Sequence, residues 1–519
     1  MGDSYTSIPP NEDQVDRDMT GSTDASHGPL DSGPSDTLID SAHRIELEGA
    51  QDLWRGFTLA DLAHVFMLRD ADLLAEDVST SLIGGILTLD ENPPEQDSLH
   101  PETGDVYRNR EKMLDDLGVE TGWLGLGRPR REASTLAYQL TVRRLILNLT
   151  ESVLECISAI TTVSECHRDT LMPDYTYNQR AQPTVFGHYL LGFASPLLRE
   201  LDRLRTAFDH VNRSPAGTGS TNGSRLDLNR EIPRDHLGFE GLVEHARDAM
   251  WQADGPIELS GILASLTTSL ARLAEDLQLF ATQEYGFIEL ADEHSRASVL
   301  MPQKKNPYSL AFVRGVAGEI GGLVPSMAGA GKTTTGQVDN RQFPYHRVPE
   351  SLDLVIRTTR LMTDVIKSLS VNTTTMKQAA DDQLNCSTDL AEYLVVTHGV
   401  DYRRAHGIVG ETVRRLGDGR GEITDFDLEC LNTVLDEYLD DDIRLTEEEL
   451  EAVVDVENVV QSRRTPGGAS RERLNELIES MRTSHADHRE WFETTRQSID
   501  TAEESLLSSA RSLSEDDSP

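Results

Sequence analysis

Two adjacent lysines, Lys304 and Lys305, follow a serine in a chain that otherwise almost avoids lysine. The 519 residues include 48 Lys+Arg and 89 Asp+Glu, a formal net charge of −41, and only six of the cations are lysine. Asn306 and the proline after it predict the start of a helix. Ammonium groups and the free N–H groups of a helix N-terminus both attract carboxylates. The segment therefore predicts an anion site beside Ser298, and two exposed lysines ahead of a helix are the alternative.

The acidic excess argues against several classes of partner. Such a surface repels nucleic-acid phosphates and anionic lipids, so we expect no nucleic acid and no membrane as partner. No apolar run reaches the roughly 18 to 20 residues of a membrane helix. The acidic N-terminal segment lacks the basic and apolar parts of a secretory signal, and the four cysteines show no CxxC spacing. We expect free thiols and a cytoplasmic protein.

The scarcity of lysine among so many carboxylates indicates adaptation to high salt. Hydrated carboxylates keep such a surface soluble, and salt screens their mutual repulsion. A mesophilic acidic protein with disordered tails is the alternative interpretation.

Apolar spacing predicts helices along most of the chain. Near-helical periods cover 136–165, 184–211, 257–282 and 351–370, and the segment from Asn306 is apolar on most sides, which predicts a helix buried within a bundle. The C-terminal third predicts shorter helices capped by Asp401, by Thr424 and by a box of Thr446 with Glu449. Convincing strand alternations are few, so the predicted fold class is all-α.

Composition divides the chain into a long central bundle with smaller helical domains at either side. Residues 212–225 are small and polar, which is typical of an exposed or functional loop. The predicted parts are a disordered acidic tail at 1–44, an N-terminal helical domain at 45–135, a central bundle at 136–375, a C-terminal helical domain at 376–505 and a tail at 506–519.

The segment 297–307 has the sequence Ala-Ser-Val-Leu-Met-Pro-Gln-Lys-Lys-Asn-Pro. It resembles the signature loop of the fumarase/aspartase superfamily, Gly-Ser-Ser-x-Met-Pro-x-Lys-x-Asn-Pro, in the form of the argininosuccinate lyase branch. Further resemblances to this branch follow in family order over about 105–480, at 172–183, 388–394, 404–410, 456–460 and 466–468. The resemblance implies a fumarase/aspartase-like long-helix bundle that assembles as a homotetramer.

The resemblance also implies a reaction and a set of site residues. Family members split a succinyl adduct into fumarate and an amine, or an alcohol, through a carbanion stabilised as an aci-carboxylate. By this resemblance Ser298 is the base, while Lys304, Asn306 and Thr176 bind a substrate carboxylate, and Gln182 belongs to the same element as Thr176. No cofactor and no metal is implied. Each site combines the 125–132, 173–183 and 298–306 segments of three subunits.

Two departures concern the general acid. The family has a His where this chain has Tyr177, and the Glu that holds this His is replaced by Ala311. A tyrosine hydroxyl has an ordinary pKa of about 10, which matches proton donation at pH 7 less well. Tyr177 is nevertheless the candidate acid, because an amine leaving group needs less assistance.

Other departures affect the part of the site that binds the amine. The first family motif aligns with 125–132, where Arg128 and Arg130 match, Arg131 replaces a substrate-binding Asn and Glu132 replaces an Asp. An additional guanidinium favours an additional anionic group on the substrate. Three further amine-side positions change, to Asp339, Pro344 and Arg347. Because the fumarate-side residues are retained, we hypothesise a carbon–nitrogen lyase that uses a different amine. An authentic argininosuccinate lyase, with argininosuccinate as its substrate, is the alternative.

The remaining motifs and one alternative function have less support. Residues 328–334 resemble a phosphate-binding loop, but Ser326 occupies the place of its first Gly and the segment follows a helix. His485 and His488 on a polar helix favour a solvated face over a zinc site. The alternative function is a catalytically impaired paralogue with a binding or assembly role, and retention of Ser298 and Lys304 favours catalysis.

Overall fold

A computed structural model describes residues 32–95, 98–334, 339–417, 425–440 and 443–515. The N-terminal part contains the helices α1 (Asp36–Leu38), α2 (Arg44–Leu47), α3 (Ala50–Asp70), α4 (Glu76–Glu91) and α5 (Val106–Asp116), with a π-helical turn at Ile39–His43. The first 31 residues of the predicted tail lie outside the described part. Residues 36–43 of that tail are helical, so the predicted boundary at 44 is too late.

The central part consists of long helices. They are α6 (Arg130–Cys166), α7 (Phe186–Leu191), α8 (Ala194–Val211), α9 (Glu231–His236), α10 (Ala246–Met250), α11 (Asp254–Phe280), α12 (Tyr308–Gly321), α13 (Leu323–Gly331) and α14 (Gln342–Ser368). Among the described residues α6 is the one helix whose length and composition could span a membrane, but 67% of its apolar window is buried inside the protein. Such burial is typical of a core helix.

The C-terminal part contains shorter helices and one very long one. They are α15 (Thr373–Ala380), α16 (Ser387–His398), α17 (Tyr402–Gly417), α18 (Leu428–Tyr438), α19 (Glu447–Val454), α20 (Val456–Ser462) and α21 (Arg471–Glu515). Helix α21 continues through most of the predicted tail at 506–519, because Leu506 and Ala510 are buried against the bundle.

Two of the three helix caps predicted for the C-terminal third can be checked, and both are confirmed. The Asp401 carboxylate accepts the N–H of Arg404 at 3.2 Å. Thr446 and Glu449 form the reciprocal capping box. Thr424 lies outside the described residues.

Within the described ranges, eight short strands accompany the helices. They are β1 (Leu171–Thr176), β2 (Gln179–Val185), β3 (Arg213–Ser214), β4 (Gly241–Leu242), β5 (Ile288–Glu289), β6 (Arg296–Ala297), β7 (Lys305–Asn306) and β8 (Ser370–Val371). They form the two-stranded pairs β1–β2, β3–β4, β5–β8 and β6–β7, of which only β3–β4 is parallel. The fold is therefore an all-α bundle with small ribbons at its edges.

Helices α6 and α14 run side by side in the same direction. Near their starts Tyr345 donates to Thr135 at 2.9 Å and stacks on Tyr138 with ring centroids 4.0 Å apart. Nearer their ends the side chain of Thr363 hydrogen-bonds Cys156. We call the end of the bundle where α6 begins the first end. The second end is where α6 stops and the β1–β2 hairpin begins.

The hairpin, α11 and β5 meet at the second end through aromatic side chains. Tyr175 of β1 lies 6.2 Å from Phe280, the last residue of α11, and 5.4 Å from Tyr285, measured between ring centroids. Since β6 and β7 follow directly after β5, the signature loop is also attached at this end.

Two expectations about the helix after Asn306 are corrected. Pro307 occupies the N-cap, and the helix begins at Tyr308, because Asn306 belongs to β7 and its side chain donates to the Arg296 carbonyl at 2.9 Å. The helix is also not covered on most sides within one chain. Leu310, Val313, Val316 and Ile320 are buried, whereas Phe312 is 41% exposed and the glycines beside it face open space.

Candidate active site

The β6–β7 ribbon brings together the three residues predicted from the signature loop. Its antiparallel register places Arg296 opposite Asn306 and Ala297 opposite Lys305. The Ser298 N–H donates to the Lys304 carbonyl at 3.1 Å, which continues the same register by one pair. Opposite residues of a ribbon share a face, and alternate residues along a strand return to it. Ser298, Lys304 and Asn306 therefore lie on one face.

The hydroxyl of Ser298 is held by its own loop. Its Oγ accepts the N–H of Met301 at 3.0 Å, and the Lys304 N–H donates to the Met301 carbonyl at 3.1 Å. A hydrogen bond donated to an oxygen favours its charged form. The loop thus supplies one N–H that stabilises a deprotonated serine, which is what a serine base requires.

Lys305 lies on the opposite face and has a different role from the one predicted for the lysine pair. Its Nζ is 2.9 Å from a carboxylate oxygen of Glu289 and 2.7 Å from one of Asp292. These contacts raise the pKa of Lys305, and its ammonium group lowers the pKa of Asp292. Only Lys304 is left on the face of Ser298, so the predicted anion site includes one lysine and not two.

The β1–β2 hairpin presents Thr176 and Tyr177 at its tip. Tyr177 and Asn178 both have positive φ, +55° and +57°, as a two-residue type I′ turn requires. The Tyr177 side chain is 98% exposed, and Thr176 and Gln182 are exposed as well. The single chain therefore directs these predicted site residues outward and encloses none of them.

A cavity of about 730 Å³ lies beside this hairpin and was not predicted. Arg180 forms one wall through its ion pair with Asp382 at 3.1 Å. Polar side chains make up much of the lining, among them Asn178, Gln179 and Asn385. The sequence signal for it is Arg180 within the family-like segment 172–183, but its partner Asp382 lies about two hundred residues further along the chain.

The predicted substrate contact of Arg128 does not fit its position. Arg128 is 4% exposed, and its Nη2 lies 2.8 Å from the Asp61 carboxylate. The same carboxylate binds Arg110 at 3.1 Å. A guanidinium held in this way is part of the interior, so Arg128 anchors the start of α6 instead of facing a ligand.

Arg130 and Arg131 are placed differently from Arg128. Arg130 is exposed and lies 3.5 Å from Asp105. Arg131 donates to the hydroxyl of Ser220, in the loop 212–225 that the composition singled out. This loop therefore packs on the first turn of α6 and fixes the direction of the Arg131 side chain.

Glu132 is a further residue of this region that was noted only as a substitution. Its buried carboxylate accepts the N–H of Gly217 at 2.7 Å and lies 3.4 Å from the Thr218 hydroxyl. Burial raises the pKa of Glu132 to about 7, against the opposing effects of these hydrogen bonds and of Arg128. Glu132 thus joins α6 to the loop that holds Arg131.

The predicted site residues occupy opposite ends of the bundle. Arg130 and Arg131 begin α6, whereas the hairpin follows its last turn, and a helix of 37 residues is about 55 Å long. One substrate cannot span that distance. Within one chain, the amine-side arginines and the fumarate-side residues do not meet.

Comparisons with known proteins agree with this architecture. A family model described as Lyase matches residues 102–322, and one described as Argininosuccinate lyase C-terminal matches residues 386–461. The argininosuccinate lyase of Corynebacterium efficiens is 33% identical over 89% of this chain and 91% of that protein. The argininosuccinate lyase of Methanococcoides burtonii is 31% identical over 92% of this chain and 97% of that protein.

The chain belongs to the argininosuccinate lyase family. Membership makes it a carbon–nitrogen lyase of the fumarate-eliminating superfamily and does not favour the alternative of a paralogue without catalysis.

Solved structures support the same conclusion for the fold of this lyase. A structure described as an EDDS lyase variant with bound fumarate matches with a TM-score of 0.83 and 26% identity over 93% of this chain and 97% of that one. A class II fumarase from Schistosoma mansoni matches with a TM-score of 0.64 and 15% identity over 78% of this chain and 90% of that one. The second likeness shows the shared helical fold alone.

Proposed function

We propose that this lyase eliminates fumarate from an N-succinyl adduct whose amine part differs from that of argininosuccinate and carries an additional anionic group. The observation that carries the proposal is the ribbon face shared by Ser298, Lys304 and Asn306. It retains three of the residues that the family motif assigns to the succinyl part, whereas the first turn of α6 has gained Arg131.

The mechanism uses this face for proton removal. The deprotonated hydroxyl of Ser298 takes the β-proton of the succinyl group, and the electron pair moves into the neighbouring carboxylate. Lys304, Asn306 and Thr176 bind that carboxylate while its negative charge increases, which stabilises the transition state. The Cα–N bond then breaks, fumarate leaves, and the nitrogen receives a proton for which Tyr177 is the proposed donor.

The proposal requires several subunits, and we propose a homotetramer. Its support is the length of α6, which separates the two groups of residues within a chain. A second support is the uncovered face of α12, where Phe312 is exposed and a Cβ added at Gly315 or Gly318 would meet no other described part of the protein within 4 Å. Packing of this face against other copies would bring the first end of one chain to the second end of another. A cytoplasmic, salt-adapted enzyme is proposed on composition alone.

The amine-side substitutions support a substrate other than argininosuccinate. Arg131 adds a positive charge where the family has an amide, and Asp339 introduces a carboxylate where the family has a tyrosine. The similar structure with bound fumarate is a lyase named for EDDS and not for argininosuccinate. A fold this similar is therefore compatible with another amine partner.

Substrate selectivity tests the proposal. Purified enzyme in concentrated KCl is assayed by the ultraviolet absorbance of fumarate with argininosuccinate and with the N-succinyl adducts of aspartate and glutamate. We expect kcat/KM for the best acidic adduct to exceed that for argininosuccinate by at least about tenfold, the effect of one charge-assisted hydrogen bond. Arg131→Asn, which restores the family residue, should reduce this preference. A wild-type enzyme that prefers argininosuccinate would contradict the proposal.

A further inference from the structure

Arg296 shares the ribbon face of the three signature-loop residues. It pairs with Asn306 in the register of β6 and β7 and stands two residues before Ser298 on the same strand. Side chains at alternate positions point the same way, and directly opposed residues share a face. The ribbon therefore groups Arg296, Ser298, Lys304 and Asn306 on one side and leaves Lys305 on the other.

The guanidinium of Arg296 is oriented by an aromatic ring. Its central carbon lies 3.5 Å from the centroid of the Tyr308 ring, in the first turn of α12. A stacked guanidinium keeps its N–H groups in the plane of the group, where they remain available to an acceptor. Tyr308 thus restricts the motion of the cation without satisfying its donors.

No carboxylate of the described residues forms an ion pair with Arg296 in this acidic chain. The contrast with its neighbours is clear, because Lys305 binds Glu289 and Asp292, and Arg314 on α12 binds Glu275 at 3.3 Å. An exposed cation that is held in place and left without a carboxylate is suited to an anionic ligand.

Distances within a ribbon allow these groups to contact one ligand. Diagonal neighbours such as Arg296 and Lys304 are separated by about 7 to 8 Å at the backbone, which long side chains bridge. A carboxylate on this face can accept two hydrogen bonds from a guanidinium while an ammonium group approaches from the other side.

We propose that Arg296 is a substrate-binding residue that holds a carboxylate of the fumarate part together with Lys304 and Asn306. The inference rests on the proposed function, since it assumes that this face binds fumarate. It adds a cation that the family motif did not identify, and it makes Tyr308 the residue that positions this cation.

Fumarate binding measured by titration calorimetry in concentrated KCl tests the inference. We expect Arg296→Gln to weaken fumarate binding by about tenfold to a hundredfold, the effect of losing a charge-assisted hydrogen bond. Arg296→Lys keeps the charge and should recover part of the affinity. Arg444→Gln removes an exposed arginine of the C-terminal part, which pairs with Asp436, and should leave the affinity unchanged.

The role of Tyr308 gives a second measurement. Tyr308→Phe keeps the ring and should bind fumarate as the wild type does, whereas Tyr308→Leu should weaken binding less than Arg296→Gln. Equal thermal transitions of all variants would establish that they fold alike.

One result would overturn the inference and leave the proposed function standing, namely wild-type fumarate affinity in Arg296→Gln. If that variant also lost turnover, Arg296 would only shape the loop. A wild-type enzyme that neither binds nor releases fumarate would instead contradict the proposed function itself.

Discussion

Single residues of this lyase differ in how far the sequence alone could assign them. Ser298, Lys304 and Asn306 were identified by the letters of one motif, and the ribbon register places them on one face. The sequence could not distinguish the role of Lys305 from that of Lys304, because Lys305 forms ion pairs with Glu289 and Asp292 only when the ribbon forms. Ion pairs with distant residues decide such cases, and one motif contains no information about them.

Glu132 leads to a prediction about pH and stability. Burial raises the pKa of Glu132 from 4.5 to about 7. The folded state therefore holds this proton more tightly than the unfolded state. The resulting stabilisation is complete below about pH 4.5 and is lost as the pH rises to about 7. Relative to Glu132→Gln, the wild type should lose about 3 kcal/mol of unfolding free energy across this range.

Urea denaturation at several pH values measures this difference. Glu476→Gln, at an exposed position that pairs with Arg473, is the matched control and should show no such change. A difference between wild type and Glu132→Gln that stays constant from about pH 4.5 to about pH 8 would show that Glu132 titrates normally.

Secondary-structure elements were predicted well where the signal is local. The caps at Asp401 and Thr446 follow from short spacings, and both form. The ribbon and the β1–β2 hairpin escaped prediction because strands of two residues show no alternation, and because prolines stand within both hairpin strands. The prediction ended the long helix α21 too early, because the last turns of this helix are polar on the exposed side.

The buried carboxylate of Asp61 joins three elements and gives a prediction at this scale. It lies on α3 and binds Arg110 of α5 and Arg128, two residues before α6. Asp61→Asn would leave two buried guanidinium groups without a carboxylate. We expect it to reduce the free energy of unfolding by about 3 to 5 kcal/mol.

Chemical denaturation compares this variant with Asp353→Asn. Asp353 pairs with Arg357 on the exposed side of α14, and loss of such a surface pair should cost at most about 1 kcal/mol. Equal effects of the two substitutions would show that the buried ion pairs do not hold the start of α6.

At the scale of the whole molecule, the charge of −41 predicts how salt affects stability. Raising KCl from about 0.1 M to about 1 M shortens the Debye length from about 10 Å to about 3 Å, which weakens repulsion among exposed carboxylates. We therefore expect the Tm to rise over this range. Calorimetry measures it, with an uncharged osmolyte of equal osmolality as control. A Tm that does not change with KCl would argue against salt adaptation.

The overall fold was predictable because helical periodicity and family motifs extend over most of the chain. Periodicity does not show how the parts of the site meet, because α6 places them at opposite ends of one chain. The family resemblance alone implies that several copies share a site, and in the proposed homotetramer other copies bring the parts together.

The measurement that tests the central claim most directly is the rate of fumarate release by wild type and Ser298→Ala. Both are assayed by ultraviolet absorbance in concentrated KCl, with the acidic N-succinyl adduct that the wild type uses best. We expect Ser298→Ala to lose about 10²- to 10⁴-fold in kcat, the usual contribution of a general base, while it still binds fumarate. A Ser298→Ala enzyme that releases fumarate at nearly the wild-type rate would contradict the assignment of Ser298 as the base.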